Sequence, residues 1–177
     1  MFNDFSLEDG TRVKDIEKVT NHDVKAIEYF LKEKFDQNEN LKPLKEYLHF
    51  SCTSEDINNL AYALMLHHSF EKVILPQLRQ LVDTLSKLAI ENAEVPMMCR
   101  THGQTATPST VGKEIANFAY RIKVQLRNLE KITPTGKFNG ATGNLNAHQI
   151  AYPDKDWIAI SKRFVEGMDI HWNPYTT

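Results

Sequence analysis

The chain has 177 residues with 41% hydrophobic side chains, enough for one sizeable core, and one globular unit is the expectation. Its 21 basic and 23 acidic side chains nearly cancel and are interspersed, so there is no basic face and no nucleic-acid partner is expected. Cys52 and Cys99 are too far apart for a paired zinc spacing and too few for a disulfide framework, which predicts reduced thiols, no metal and a cytoplasmic setting. The longest unbroken apolar run, residues 60–66, is too short to span a bilayer, and no basic-then-apolar leader opens the chain. No membrane attachment is expected.

In chain order, the spacing predicts mostly helix. From a cap at Asn21, the residues Val24, Ile27, Phe30, Leu31 and Phe35 form a helical stripe that ends in the polar run 36–40. A short helix is expected from Pro43 to about His49. Thr53-Ser54-Glu55-Asp56 is the clearest start signal, hydroxyls followed by acids, with Ile57, Leu60 and Leu64 at helical spacing behind it. The apolar positions continue as Ile74, Leu78, Leu81, Leu85 and Leu88, the seam of a bundle helix, with a kink or break expected at Pro76. Thr107 reads as a cap and Pro108 as the first helical residue of a further helix carrying Val111, Ile115, Phe118, Ile122, Leu126 and Leu129 until Pro134. The fold class is therefore all-α, a long-helix bundle. Residues 133–148 hold three of the seven glycines and are read as non-helical, with a small β-hairpin excursion turning at Asn139-Gly140. A last helix follows Pro153, and the abrupt end at Asn173-Pro174-Tyr175-Thr176-Thr177 suggests a piece of a longer protein, a single partial helical domain over residues 1–177.

Three polar clusters stand out. Thr20-Asn21-His22-Asp23 opens a helix, and either capping alone or an anion site with His22 as donor accounts for it. Ser51-Cys52-Thr53-Ser54-Glu55-Asp56 holds more hydroxyls than one cap needs, so one is free for a carboxylate, although an ordinary exposed helix start explains it almost as well. Cys52 reads as a buried small hydrophobe rather than a nucleophile. Arg100-Thr101-His102-Gly103-Gln104 precedes its expected helix, and capping does not require Thr101, His102 or Gln104. A histidine there can carry a proton near neutral pH, or simply tie a loop together. His67 and His68 are helix neighbours pointing apart, with no third ligand at helical spacing for a metal.

Taken together, Thr20-Asn21-His22-Asp23-Val24-Lys25, the stretch around Ser51-Cys52-Thr53-Ser54-Glu55-Asp56, and Arg100-Thr101-His102-Gly103-Gln104-Thr105-Ala106-Thr107-Pro108 resemble the adenylosuccinate lyases of the aspartase/fumarase superfamily. The likeness continues through Lys137-Phe138-Asn139-Gly140-Ala141-Thr142-Gly143-Asn144 and Asn173-Pro174-Tyr175-Thr176-Thr177, in order along most of the chain. The resemblance implies part of the central helical domain of such a lyase. It implies β-elimination of fumarate from adenylosuccinate, and from the matching imidazole carboxamide nucleotide of purine synthesis, without a cofactor. By residue-by-residue carry-over, His102 is the catalytic acid, Asn21, His22 and Asp23 contact the nucleotide, Thr53 and Ser54 hold a succinyl carboxylate, and Thr101 lines the pocket.

The family's base is a serine on a mobile loop that nothing in this chain reproduces, and its active sites combine three subunits of a homotetramer. This chain alone is therefore expected to be inactive. Thr105 departs from the proline common in the family, at a turn residue that leaves the imidazole, hydroxyl and amide in place. Two other readings stay open: a sister lyase acting on argininosuccinate or fumarate, and a non-catalytic helical assembly domain whose motifs are only caps.

Overall fold

The structure is a computed structural model, and it describes residues 4–176. The chain divides into two compact units, Met1–Ala63 with Thr135–Thr177, and Leu64–Pro134. Helices dominate both, in agreement with the all-α expectation, and among the described residues no helix is long and apolar enough to cross a membrane.

The first unit opens with a helix that the apolar spacing did not announce, α1 (Leu7–Thr20). A reciprocal capping box starts it: the Ser6 hydroxyl accepts from the Asp9 amide and the Asp9 carboxylate accepts from the Ser6 amide. Asn21, expected to begin the next helix, instead ends this one at φ 51°, its N–H donating to the Glu17 carbonyl. The start of α2 (Asp23–Asp36) falls one residue later, where the His22 ring takes the capping role. Ile16 packs on Ala26 and Phe30, with Val13 and Leu31 filling around them. A short 3₁₀ helix, Lys42–Tyr47, stands where a helix from Pro43 was expected. The helix α3 (Ser54–Ser69) begins at the predicted hydroxyl turn.

In the second unit the regular α-helix is interrupted just before Pro76, where a kink or break is expected. One turn of π-helix, Phe70–Ile74, precedes it, and the Leu75 N–H reaches back five residues to the Phe70 carbonyl. This wider turn makes room for a ring that would otherwise press on the carbonyl four residues back, and Pro76 sits in the first turn of α4 (Leu75–Glu91), where no N–H is needed. The chain then forms an antiparallel ribbon, β1 (Pro96–Thr101) and β2 (Gln104–Thr110), before α5 (Val111–Leu129).

That ribbon corrects two expectations. Thr107 and Pro108 are strand residues, not a helix start, and the cap is Thr110, whose hydroxyl accepts from the Lys113 amide at 3.2 Å. Proline drives its predecessor towards extended backbone and is tolerated in an edge strand, so Thr107-Pro108 suits β2 as well as it suits a cap. The α4 and α5 helices approach through small residues. Val82 and Ala89 are buried on one, and Gly112, Ala119 and Leu126 at seven-residue spacing on the other. A Cβ on Gly112 would lie 2.3 Å from the Ala89 carbonyl oxygen, so only glycine fits there. The larger apolar stripe flanks this contact, leaving Leu81, Leu88 and Phe118 exposed at 43%, 41% and 55%.

On its return to the first unit the chain forms no hairpin at Asn139-Gly140. The amides a hairpin would pair are taken instead by a buried carboxylate, Asp56, and the segment is drawn into the core. The only pairing nearby is a two-residue parallel one between β3 (Thr135–Gly136) and β4 (His171–Trp172). Helix α6 (Asn146–Ala151) begins inside the stretch read as non-helical, and α7 (Trp157–Glu166) follows Pro153 as expected, capped by Asp156. Val165, Ile170, His148 and Ser161 fill the core here.

Candidate active site

In the first unit, three expected residues meet where α2 and α3 begin. The His22 Nδ1 accepts from the Lys25 amide at 3.3 Å, so the neutral ring carries its proton on Nε2. That Nε2 lies 3.3 Å from the Ser54 hydroxyl, 32 residues further along the chain. Because Ser54 then accepts from the ring, its own O–H is left to donate outwards to an anion. The Asp23 carboxylate accepts from the Val24 amide at 2.8 Å and from the Asn58 side chain at 3.4 Å, and lies 3.4 Å from the His22 ring. The Val24 bond is the main reason its carboxyl is held below the usual carboxylate range, against the opposing effect of burial and with the Asn58 bond adding to it. Asn21 stands beside this group in the left-handed turn joining α1 and α2, exposed.

Thr53 is held through its backbone. Its amide donates to Asp56 Oδ2 at 3.1 Å, an acid that the sequence presents as an ordinary first-turn charge. Asp56 is in fact 0% exposed. Its two oxygens also accept from the Lys137 ammonium at 2.9 Å, the Asn139 amide at 3.1 Å and the Gly140 amide at 3.0 Å. Burial pushes the Asp56 carboxyl up, but the Thr53, Lys137 and Asn139 donors together outweigh it and hold the group below its ordinary value. One turn on, the Asn59 side chain donates to the Lys137 carbonyl at 3.1 Å and accepts from its amide at 2.8 Å. Sequence reasoning missed Asp56, Asn59 and Lys137 as a group, and the helical spacing of Asp56 and Asn59 was the only local sign of them.

The Asn139 side chain carries the connection further. It donates to the Pro174 carbonyl at 3.3 Å and accepts from the Thr176 hydroxyl at 3.0 Å. Nearby, the half-buried Cys52 donates to the Phe50 carbonyl, and burial, reinforced by Asp56, pushes its thiol up to about 11. Such a thiol is protonated at neutral pH and is a poor nucleophile.

In the second unit, Thr101 and Gln104 face each other across β1 and β2, and His102-Gly103 is the two-residue turn between them. Both turn residues have positive φ, 51° and 76°, the geometry of a type I′ hairpin. The Gly after His102 carries this signal in the sequence, where the helix start expected at Thr107-Pro108 masks it. Between Arg100↔Thr105 and Met98↔Pro108 two residues, Ala106 and Thr107, oppose Cys99 alone, a β-bulge that increases the local twist of the ribbon. Thr101, His102 and Gln104 are exposed, so the imidazole is presented on a rigid turn rather than spent on packing. Among the described residues, no group of three or more His, Cys, Asp or Glu is arranged to hold a metal ion.

The described residues thus present an imidazole on a hairpin tip in one unit and, in the other, a histidine–serine pair where two helices begin. All of its residues, 1–177, match a family model described as Lyase, and the chain belongs to that family. It is 56% identical over 173 residues to the adenylosuccinate lyase of Escherichia coli strain K12, covering 98% of this chain and 38% of that protein. The adenylosuccinate lyase of Haemophilus influenzae strain Rd is 53% identical, with the same coverage. That of Legionella pneumophila strain Corby is 46% identical over 177 residues, 100% of this chain and 39% of the relative. The chain thus spans less than two fifths of the length of these curated relatives. Among solved structures, a fumarate lyase from Mesorhizobium sp. BNC1 superposes with a TM-score of 0.81 at 21% identity, covering 98% of this chain and 39% of that one. A 3-carboxy-cis,cis-muconate lactonizing enzyme from Pseudomonas putida gives 0.78 at 21% identity, with 98% and 38% covered. At that identity the likeness concerns the fold.

Proposed function

We propose that the chain is the acid-bearing and substrate-binding part of an adenylosuccinate lyase, a partial helical domain comprising the end of the N-terminal region and the first part of the central bundle. The observation that carries this reading is the His22–Ser54 pair, which joins the segments expected to hold nucleotide and carboxylate. It is supported by curated relatives at 46–56% identity that bear that name.

In the reaction a base removes the proton from the carbon beside one succinyl carboxylate. The carbon–nitrogen bond then breaks, its electron pair passes to nitrogen, and the nitrogen takes a proton from His102, leaving fumarate and adenylate. The same elimination acts on the succinyl-aminoimidazole carboxamide nucleotide in purine biosynthesis and needs no cofactor. Asn21, His22 and Asp23 contact the nucleotide; Thr53 and Ser54 hold a carboxylate in the bound substrate and in the transition state alike; Thr101 lines the pocket beside His102. The base lies in the remainder of the protein, which assembles as a cytoplasmic homotetramer.

The test is fumarate release from adenylosuccinate by the full-length protein, beside His102→Ala. A proton donor of this kind contributes about 10²–10⁴ in rate, so the variant should lose that much in kcat with KM little changed. Full activity in the variant would move the acid elsewhere, and adenylosuccinate left intact by both proteins would remove the reading.

A further inference from the structure

The Asp56 carboxylate takes no part in the chemistry just described, yet it is the most completely enclosed charge in the first unit, with four donors converging on it from two distant segments. Capping the start of α3 needs only the Thr53 bond. The other three come from residues 81 to 84 positions further along, at the start of the glycine-rich loop.

One oxygen, Oδ2, receives both the Thr53 amide and the Gly140 amide, so the hydroxyl turn and the glycine loop lie about two hydrogen-bond lengths apart across a single atom. Asn59, on the same face of α3, fastens the loop at Lys137 by two further bonds. From there Asn139 ties the loop to Pro174 and Thr176, and Gly143 packs so closely on Thr176 that a Cβ would stand 2.7 Å from its hydroxyl. The loop is therefore braced on both sides, while Ala141, Thr142 and Asn144 at its crest stay exposed. The exposed crest is thereby fixed in position relative to Thr53-Ser54.

We propose that Asp56 is a positioning residue. It holds Thr53-Ser54 and residues 140–144 as one rigid wall of the site that receives the succinyl part of the substrate. Asn59 is its auxiliary one turn along. This rests on the function proposed above. An amide at position 56 keeps the size of the side chain but turns one acceptor into a donor facing backbone N–H groups, and it gives up the Lys137 ion pair, so the wall loosens while His102 is untouched.

The experiment is steady-state kinetics of the full-length protein and its Asp56→Asn variant with adenylosuccinate, together with a thermal melt of each. The expected result is a KM raised by about tenfold or more with kcat within about threefold of the parent, the signature of lost ground-state binding. A lower melting temperature with KM unchanged would make Asp56 a purely structural residue and overturn the proposal. So would a fall in kcat alone. Should Asp56→Asn not fold, Asn59→Ala decides, since it leaves the buried charge paired: a raised KM with kcat retained supports the wall, and an unchanged KM overturns it. A parent protein that releases no fumarate would remove the proposed function, and this inference with it. An active parent with a kinetically silent Asp56→Asn removes the inference alone.

Discussion

His148 is buried to 1% exposure, and neither ring nitrogen has a hydrogen-bond partner. Its ring is packed against Phe138 and Trp157, with centroids 5.4 and 4.9 Å away, and the Asp56 carboxylate acts on it electrostatically. Burial lowers its pKa, and the attraction of Asp56 only partly restores it. A histidine whose folded pKa lies below the unfolded value near 6.5 binds its proton less readily when folded, so it leaves stability unchanged above that value and subtracts from it as pH falls below. Asp56 acts at lower pH in the same sense. Its depressed folded pKa makes a stabilising contribution that is complete above the ordinary carboxylate range and disappears as pH falls through the folded value. Acid should therefore lower the stability of the first unit over two pH ranges. The urea midpoint is expected to drop between pH 7 and pH 5, and the drop should shrink in His148→Gln; an equal drop in both proteins would assign the upper range to other groups.

At the scale of elements, two glycines do opposite jobs. Gly103 has φ 76° with nothing near its absent Cβ, so Gly103→Ala costs only backbone strain, about 1 kcal/mol. Gly112 has an ordinary backbone, but a Cβ there meets the Ala89 carbonyl and Ala93, and Gly112→Ala should cost about 1–3 kcal/mol by forcing α4 from α5. Denaturant titrations should rank them in that order, and the reverse ranking would mean that α4 and α5 do not approach as closely as described. These elements also separate what could be read from the chain from what could not. The stripe of α2, the presence of α5 and the start of α3 were legible because helical periodicity and hydroxyl–acid caps are local signals, but which face of α5 is buried was not. The β1–β2 ribbon was not, since Thr107-Pro108 satisfies a helix start and an edge strand equally and only the pairing across the turn decides. His22, Asp23 and Ser54 were legible as polar clusters, but Asp56 was not, because its burial depends on donors more than eighty residues away.

At the scale of the whole molecule, the question is where the predicted apolar seams went. In the second unit α4 and α5 meet through Val82, Ala89, Gly112, Ala119 and Leu126, which are mostly small, so the larger stripe residues are left over. A groove of about 820 Å³ lined by Leu78, Phe118, Ile122, Leu129 and Ile132 lies open on that unit, and Tyr120 beside it is 67% exposed. With Leu81 and Leu88, the residues Phe118, Tyr120 and Ile132 make a set of exposed large apolar side chains on one unit, of the kind that a partner covers. The same stripe, read from the sequence as a bundle seam, is suited to further helices, and the curated relatives are more than twice as long as this chain. The 177-residue chain by itself should therefore associate. Sedimentation equilibrium is expected to give a mass that rises with concentration above 20.4 kDa, and Phe118→Glu, which puts a charge into the groove without touching the α4–α5 contact, should shift it towards monomer. A parent chain that sediments as a monomer throughout would show that these faces stay solvated, and would leave the seams without the partners that their spacing implies.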